Sequence, residues 1–225
     1  MRKQIVTLAV NDYAPEITAL TFPLMRTYAA KIGAEFHVIR ERKFPGWPAA
    51  MEKFQCYELA LKQGEGWTIF LDADALVHPD CFDFTDHVPK DTIVHHGVDR
   101  STIRFAADRF FRRDGRFIAP GNWFTAASDW CIEAWDMPTD LTLIDVVGRI
   151  TPTVGEIKNG VDREHLVDDY IVARNTAKYG LKATTFIDLC GRLGLQATYF
   201  WHQYRMPNRA KVEAMRNVLS GWGLL

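Results

Sequence analysis

Asp72 and Asp74 stand two residues apart in IFLDADALVHPD, residues 69 to 80. Apolar residues lead into them, as in a buried strand. Burying unpaired carboxylate is expensive, so something must neutralise the pair. A divalent cation is the simplest partner. Hard oxygen ligands suit Mg²⁺ or Mn²⁺, which keep open positions for substrate phosphates. The plainer alternative is that both side chains cap the following turn. Other groups able to do chemistry are Lys53, the adjacent Asp168 and Asp169, and His202 between Trp201 and the neighbouring Tyr204. His95 and His96 are a further candidate ligand pair, but neighbours on a strand face opposite ways, so at most one could serve.

The elements that position these groups follow from periodicity and punctuation. QIVTLAV reads as a first strand. Residues 15 to 32 read as a helix through Ile17, Leu20, Leu24 and Tyr28, with Pro23 as a kink and Gly33 as its stop. AEFHVIRE reads as a second strand. Pro48 opens a second helix, in which Ala50, Phe54, Tyr57 and Leu61 share a face and which Gly64 closes. WTIFLDAD reads as a third strand. This β-α-β-α-β order predicts a parallel sheet with helices on its faces. Ligands in such sheets lie beyond the carboxyl ends of the strands. Asn11, Asp12 and Tyr13 should therefore meet Asp72 and Asp74 in one crevice.

The second half is less regular. DTIVHHGV reads as a strand. The segment from Arg100 to Arg116 holds six arginines and few apolar anchors. It reads as a flap over a ligand, a contact for an anionic acceptor, or a solvated loop. NWFTAA reads as a strand running into a short helix capped by Ser128. Asp162 caps a helix that runs to about Lys178, with Gly180 after it. KATTFIDL and ATYFWHQY read as late strands. A final amphipathic helix carries Val212, Met215 and Leu219.

The chain has 225 residues, 48% of them hydrophobic and 24% charged, which is the balance of one globular domain. A net charge of -1 speaks against nonspecific binding of nucleic acid or anionic membrane. The first apolar run is too short for a signal peptide and is cut off by Asn11 and Asp12. No stretch has the length of a membrane span. Cys56, Cys81, Cys131 and Cys190 are widely spaced in apolar contexts, as buried thiols in a reducing compartment are. A cytoplasmic location is expected.

Three segments between residues 4 and 84 resemble, in order, the glycogenin-like, family 8 type of GT-A glycosyltransferase. IVTLAVNDYAPEITAL is similar to that family's opening strand and its Asn-Asp-x-Tyr loop, EKFQCYEL to its lysine-bearing helix, and IFLDADALVHPDCFDF to its metal-binding segment. The rest matches in outline. GNWFTAAS takes the place of an Asn-x-Gly strand, HLVDDYIVARN of an Asp-Gln-x-x-x-Asn helix, and FWHQY of the late histidine.

The resemblance implies a single GT-A-type α/β domain with a Rossmann-like, mainly parallel sheet. Residues 1–100 would form the nucleotide-sugar half and 101–225 the acceptor-side half. It implies a metal-dependent transfer from a UDP-linked sugar to a carbohydrate or glycoconjugate acceptor, with Mn²⁺ or Mg²⁺. Asp72, Asp74 and His202 would be the metal ligands, with Ala73 between them in the donor site. Val10, Asn11 and Tyr13 would hold uracil and ribose, and Lys53 the diphosphate or sugar. Asn122, Trp123 and Trp201 would lie on the acceptor side, and Asp168 and Asp169 would be catalytic.

This chain also departs from the family. The gap from Tyr13 to Lys53 is short. The glycine and lysine usual behind the late histidine are missing, with Arg205 or Arg209 as replacements. Asp169 stands where the family has glutamine. The resemblance favours retention of anomeric configuration, and the departure at Asp169 leaves inversion open.

LDADALV also resembles the nucleophile motif of haloacid-dehalogenase-type phosphatases. Asp72 would attack phosphorus there, with Thr125, Lys158 and the Asp168–Asp169 pair in supporting places. Against this, a whole β-α-β-α unit precedes the motif, and the later aspartates sit in a helical pattern. A non-catalytic sugar-binding domain is the third reading; intact Asp72, Asp74 and Lys53 speak against such decay.

Overall fold

The computed structural model describes residues 1–97, 104–105, 122–151, 157–158, 160, 162–203 and 206–225. The arginine-rich segment lies outside them apart from the backbone of Arg104, and so do Tyr204 and Arg205.

Six strands form the central sheet: β1 (Arg2–Leu8), β2 (Glu35–Ile39), β3 (Gly66–Leu71), β5 (Thr92–His95), β7 (Phe124–Ser128) and β9 (Lys182–Thr185). Their order is β2-β1-β3-β7-β5-β9. All run one way except β7, which is antiparallel to both β3 and β5. Every residue of β3 is buried, as a strand covered on both faces requires. Ile5 and Ile69 face one apolar cluster while Val6 and Phe70 face the other, the alternation a pleated strand imposes.

Helix α1 (Pro15–Lys31) covers the first face through Met25 and Tyr28, and runs through Pro23 to end before Gly33. Helices α2 (Cys56–Gln63), α3 (Leu143–Arg149) and α4 (Val167–Lys178) cover the second. Helix α5 (Phe186–Arg192) adds Phe186 and Leu189 to the first face. Two short pairs lie outside the sheet: β4 (Leu76–Val77) with β10 (Phe200–Trp201), and β6 (Arg104–Phe105) with β8 (Ile150–Thr151). The C-terminal helix α6 (Asn208–Gly221) closes a third, small cluster of Ile17, Leu76, Met215 and Leu219. Among the described residues no helix is long and apolar enough to cross a membrane.

Several local expectations change. The segment after Pro48 begins as a 3-10 turn, Ala49–Gln55, and becomes α2 only at Cys56. The tighter turn breaks the 3.6-residue phase, so Phe54 is buried but Leu61 is exposed, and Cys56 and Ala60 face inward instead. KATTFIDL is half strand: Thr185 accepts from the backbone N–H of Asp188 and starts α5. Among its described residues, ATYFWHQY forms strand pairs only at Phe200 and Trp201. Ser128 ends β7 by accepting from Trp130 N and donating to Lys90 O, and caps no helix. Asp162 accepts from His165 N in the turn that leads into α4.

Candidate active site

Strand β3 delivers the chain to Asp72, and three bonds from different parts of the fold fix the turn that follows. Asp72 N donates to Trp123 O at 2.7 Å, Ala75 N donates to Asp72 O at 3.0 Å, and the α1 hydroxyl of Thr21 donates to Ala73 O at 2.6 Å. The first exists because β7 is antiparallel. Leu71 pairs with Phe124, so the start of β7 lies at the carboxyl end of β3. The backbone closes the turn, which leaves both aspartate side chains for other work.

The β4–β10 pair then brings His202 beside the second aspartate, its Nε2 3.3 Å from Asp74 Oδ1. Ligand atoms of Asp72, Asp74 and His202 all lie within 4.8 Å of one another. Trp123 stacks on the His202 ring with centroids 4.9 Å apart and planes 16° apart, fixing the imidazole. Two carboxylates and an imidazole are a donor set for a divalent cation. His95 and His96 stand apart from this cluster. Both are buried in β5 and just after it, His95 toward Thr125 and His96 against the far side of Trp123.

Two lysines answer the charge of the aspartates. Lys53 is 2% exposed. Its ammonium lies 2.6 Å from Asp168 Oδ2 and 3.3 Å from Asp72 Oδ1, and donates to Asn122 O at 3.2 Å. Burial works against its charge, but Asp168 and Asp72 outweigh it and hold its pKa above the ordinary lysine range. It thus makes two hydrogen bonds, to Asp168 and Asn122 O, and an ion pair with Asp72. Asp74 takes Lys211 on Oδ2 and His202 on Oδ1. Burial opposes ionisation of Asp74, yet the hydrogen bond and charge of His202, with the charge of Lys211, hold it below the usual carboxylate range. Asp72 goes the other way: burial raises it, and the neighbouring Asp74 adds to this against the pull of Lys53. The pair is thus split, with Asp74 the firmly ionised member.

Asn122 ties the start of β7 to α4. Its N–H donates to Asp169 Oδ1 at 3.3 Å and its amide to Asp168 O at 3.0 Å. Its Oδ1 accepts from Thr125, which also meets His95 Nδ1 at 3.4 Å. It is 2% exposed, so its own polar groups are spent inside the protein. Burial and the charge of Asp168 push Asp169 well above the ordinary carboxylate range.

The loop after β1 reaches the same place. Val10 is buried with Val6 and Ile39, while Asn11 and Asp12 are exposed. Asn11, Asp12 and Ala14 have φ of 54°, 52° and 28°, the left-handed region that non-glycine residues avoid. This strained bend presents Tyr13, 36% exposed, to the aspartates. Partial burial, then the charges of Asp74 and Asp72, raise its pKa.

Trp201 is half-buried against the third cluster, and Trp123 is 9% exposed behind His202. Of the groups a phosphatase would recruit, Thr125 is buried under Asn122 and Lys158 is exposed. Arg209 is exposed beside a surface hollow with Glu16 and Glu213. Lys211, absent from the sequence reading, is the cation that reaches Asp74. Its signal was there: Lys211, Met215 and Leu219 share one helical stripe, so a lysine stands on the buried face of α6.

No family model and no curated protein matches the chain. Among solved structures, it is similar to a glycosyltransferase involved in the glycosylation of the major capsid of PBCV-1, with a TM-score of 0.52 at 12% identity over 95% of this chain and 99% of that one. A looser likeness, TM-score 0.42 at 11% identity over 98% and 97% of the two chains, is to the inositol-1-phosphate CTP transferase from T. maritima. At these identities the first likeness speaks to fold. The chain has a single-domain, GT-A-type α/β fold.

Proposed function

We propose that the protein is a metal-dependent glycosyltransferase that moves a sugar from a UDP-linked donor to a carbohydrate or glycoconjugate acceptor. The observation that carries this reading is the Asp72–Asp74–His202 cluster, linked through Lys53 to the Asp168–Asp169 pair on a GT-A-type fold. Asp72, Asp74 and His202 would hold Mn²⁺ or Mg²⁺, which when bound neutralises charge growing on the diphosphate leaving group. Tyr13, with Asn11 and Val10, holds the base and ribose; its ring lies beside the aspartates. Lys53 joins Asp72 to Asp168 and meets the diphosphate or sugar. Asp169 faces the sugar as the group that stabilises or attacks the anomeric carbon, which retains its configuration. Asn122 orients Asp169, and Trp123 and Trp201 border the acceptor side. The family 8 likeness of the first 84 residues supports the uridine donor and retention.

Calorimetry tests the reading. UDP should bind in Mn²⁺, fail to bind in EDTA, and fail to bind to Asp74→Asn in Mn²⁺. Equal affinity with and without metal overturns it.

A further inference from the structure

Asp74 is doubly engaged: Oδ1 faces His202 at 3.3 Å and Oδ2 accepts from Lys211. Lys211 is 5% exposed, and the stripe it shares with Met215 and Leu219 roots it in the third cluster. Its ammonium therefore lies on one of the three candidate metal ligands. A dication gathered by Asp72, Asp74 and His202 must draw on the electron density that Lys211 is using, and it meets a like charge across one carboxylate. Asp72 is itself part-engaged, with Lys53 on its Oδ1 at 3.3 Å. The lysine stem is long and jointed, so its head can leave Asp74 without α6 moving. It can leave at low cost only if another anion meets it nearby.

We propose that Lys211 is a built-in competitor for the metal: Mn²⁺ alone binds weakly, and a diphosphate that takes over the Lys211 ammonium makes the two ligands bind cooperatively. This rests on the proposed donor site and adds a coupling to it, since cation and nucleotide each raise the affinity of the other by the same factor. The competitor also holds Asp74 ionised and oriented while no cation is bound.

Mn²⁺ titrations with and without UDP, read by calorimetry and by electron paramagnetic resonance of free Mn²⁺, test it on wild type, Lys211→Met and Lys211→Arg. Lys211→Met should bind Mn²⁺ alone at least about 10-fold more tightly, the scale of one like-charge repulsion at contact distance in a water-like dielectric. The factor by which UDP tightens Mn²⁺ should shrink in Lys211→Met, and Lys211→Arg should match wild type. Lys211→Gln carries the same comparison if the methionine variant fails to fold by circular dichroism. Mn²⁺-dependent UDP binding with equal Mn²⁺ affinity in wild type and Lys211→Met overturns the competitor and leaves the proposed function standing. Absence of Mn²⁺ binding in every protein, with or without UDP, overturns both.

Discussion

Lys53 is the residue on which the site's charge balance turns. Removing its ammonium in Lys53→Met leaves the buried Asp168 and the half-buried Asp72 with a counter-charge gone. A loss of roughly 3–5 kcal/mol in urea unfolding is expected, the usual result of breaking a buried pair from one side. A loss below about 1 kcal/mol would mean the ammonium is not held as described. Asp169 behaves differently. Asp169→Asn keeps the acceptor oxygen for Asn122 N, so it should unfold like wild type and bind UDP normally while losing turnover by about 100-fold or more. At this scale the sequence was informative about residue types. Asp72, Asp74 and His202 are brought together as the family likeness implied. Lys53 reaches Asp72 and also pairs with Asp168. Lys211 escaped because the late lysine was sought as a neighbour of His202, and the ion pair depends on how α6 crosses the end of β4.

The elements carry a pH dependence. Burial pushes the pKa of both His95 and His96 down to about 4, with the charge of His202 adding to the effect at His96. In the unfolded chain both take a proton near 6.5. The unfolded state therefore binds more protons between these values. Stability from the two neutral rings is full above about pH 6.5 and is lost as pH falls toward about 4. His96 lies among Trp123, Phe124, Phe186 and Phe200, so phenylalanine fits its chemistry. His96→Phe should remove about 2 kcal/mol of the stability lost between pH 7 and pH 5, measured by urea unfolding. An unchanged slope would show that His96 does not titrate this way. Thr185→Ala should cost about 1 kcal/mol by removing the α5 cap. Long, strongly periodic elements such as α1 and β3 were readable. The 3-10 turn before α2 and the strand-to-helix switch at Thr185 were not, because both change the repeat within one apolar run. The antiparallel sense of β7 was invisible too, since pairing direction is set by long-range contacts and not by local pattern.

For the whole molecule, one sheet with both faces covered places the β1 loop, the Asp-x-Asp turn, the start of β7 and the start of α4 around one space. The parallel strands β1 and β3 put Tyr13 and Asp72 at the same sheet end, as the β-α-β-α-β order predicted. The single reversed strand β7 adds Asn122 and Trp123 there. The C-terminal segment completes the site from outside the sheet, through β10, His202 and, on α6, Lys211. The central claim is that this space cleaves a nucleotide sugar, and the direct measurement is proton and phosphorus NMR of a panel of UDP-sugars incubated with protein and Mn²⁺. The account predicts slow release of UDP and free sugar from one member of the panel. That release should stop in EDTA and in Asp74→Asn, and should fall steeply in Asp169→Asn. If the folded protein with Mn²⁺ neither binds nor cleaves any member of the panel, or cleaves one equally well without Asp74, the account is wrong.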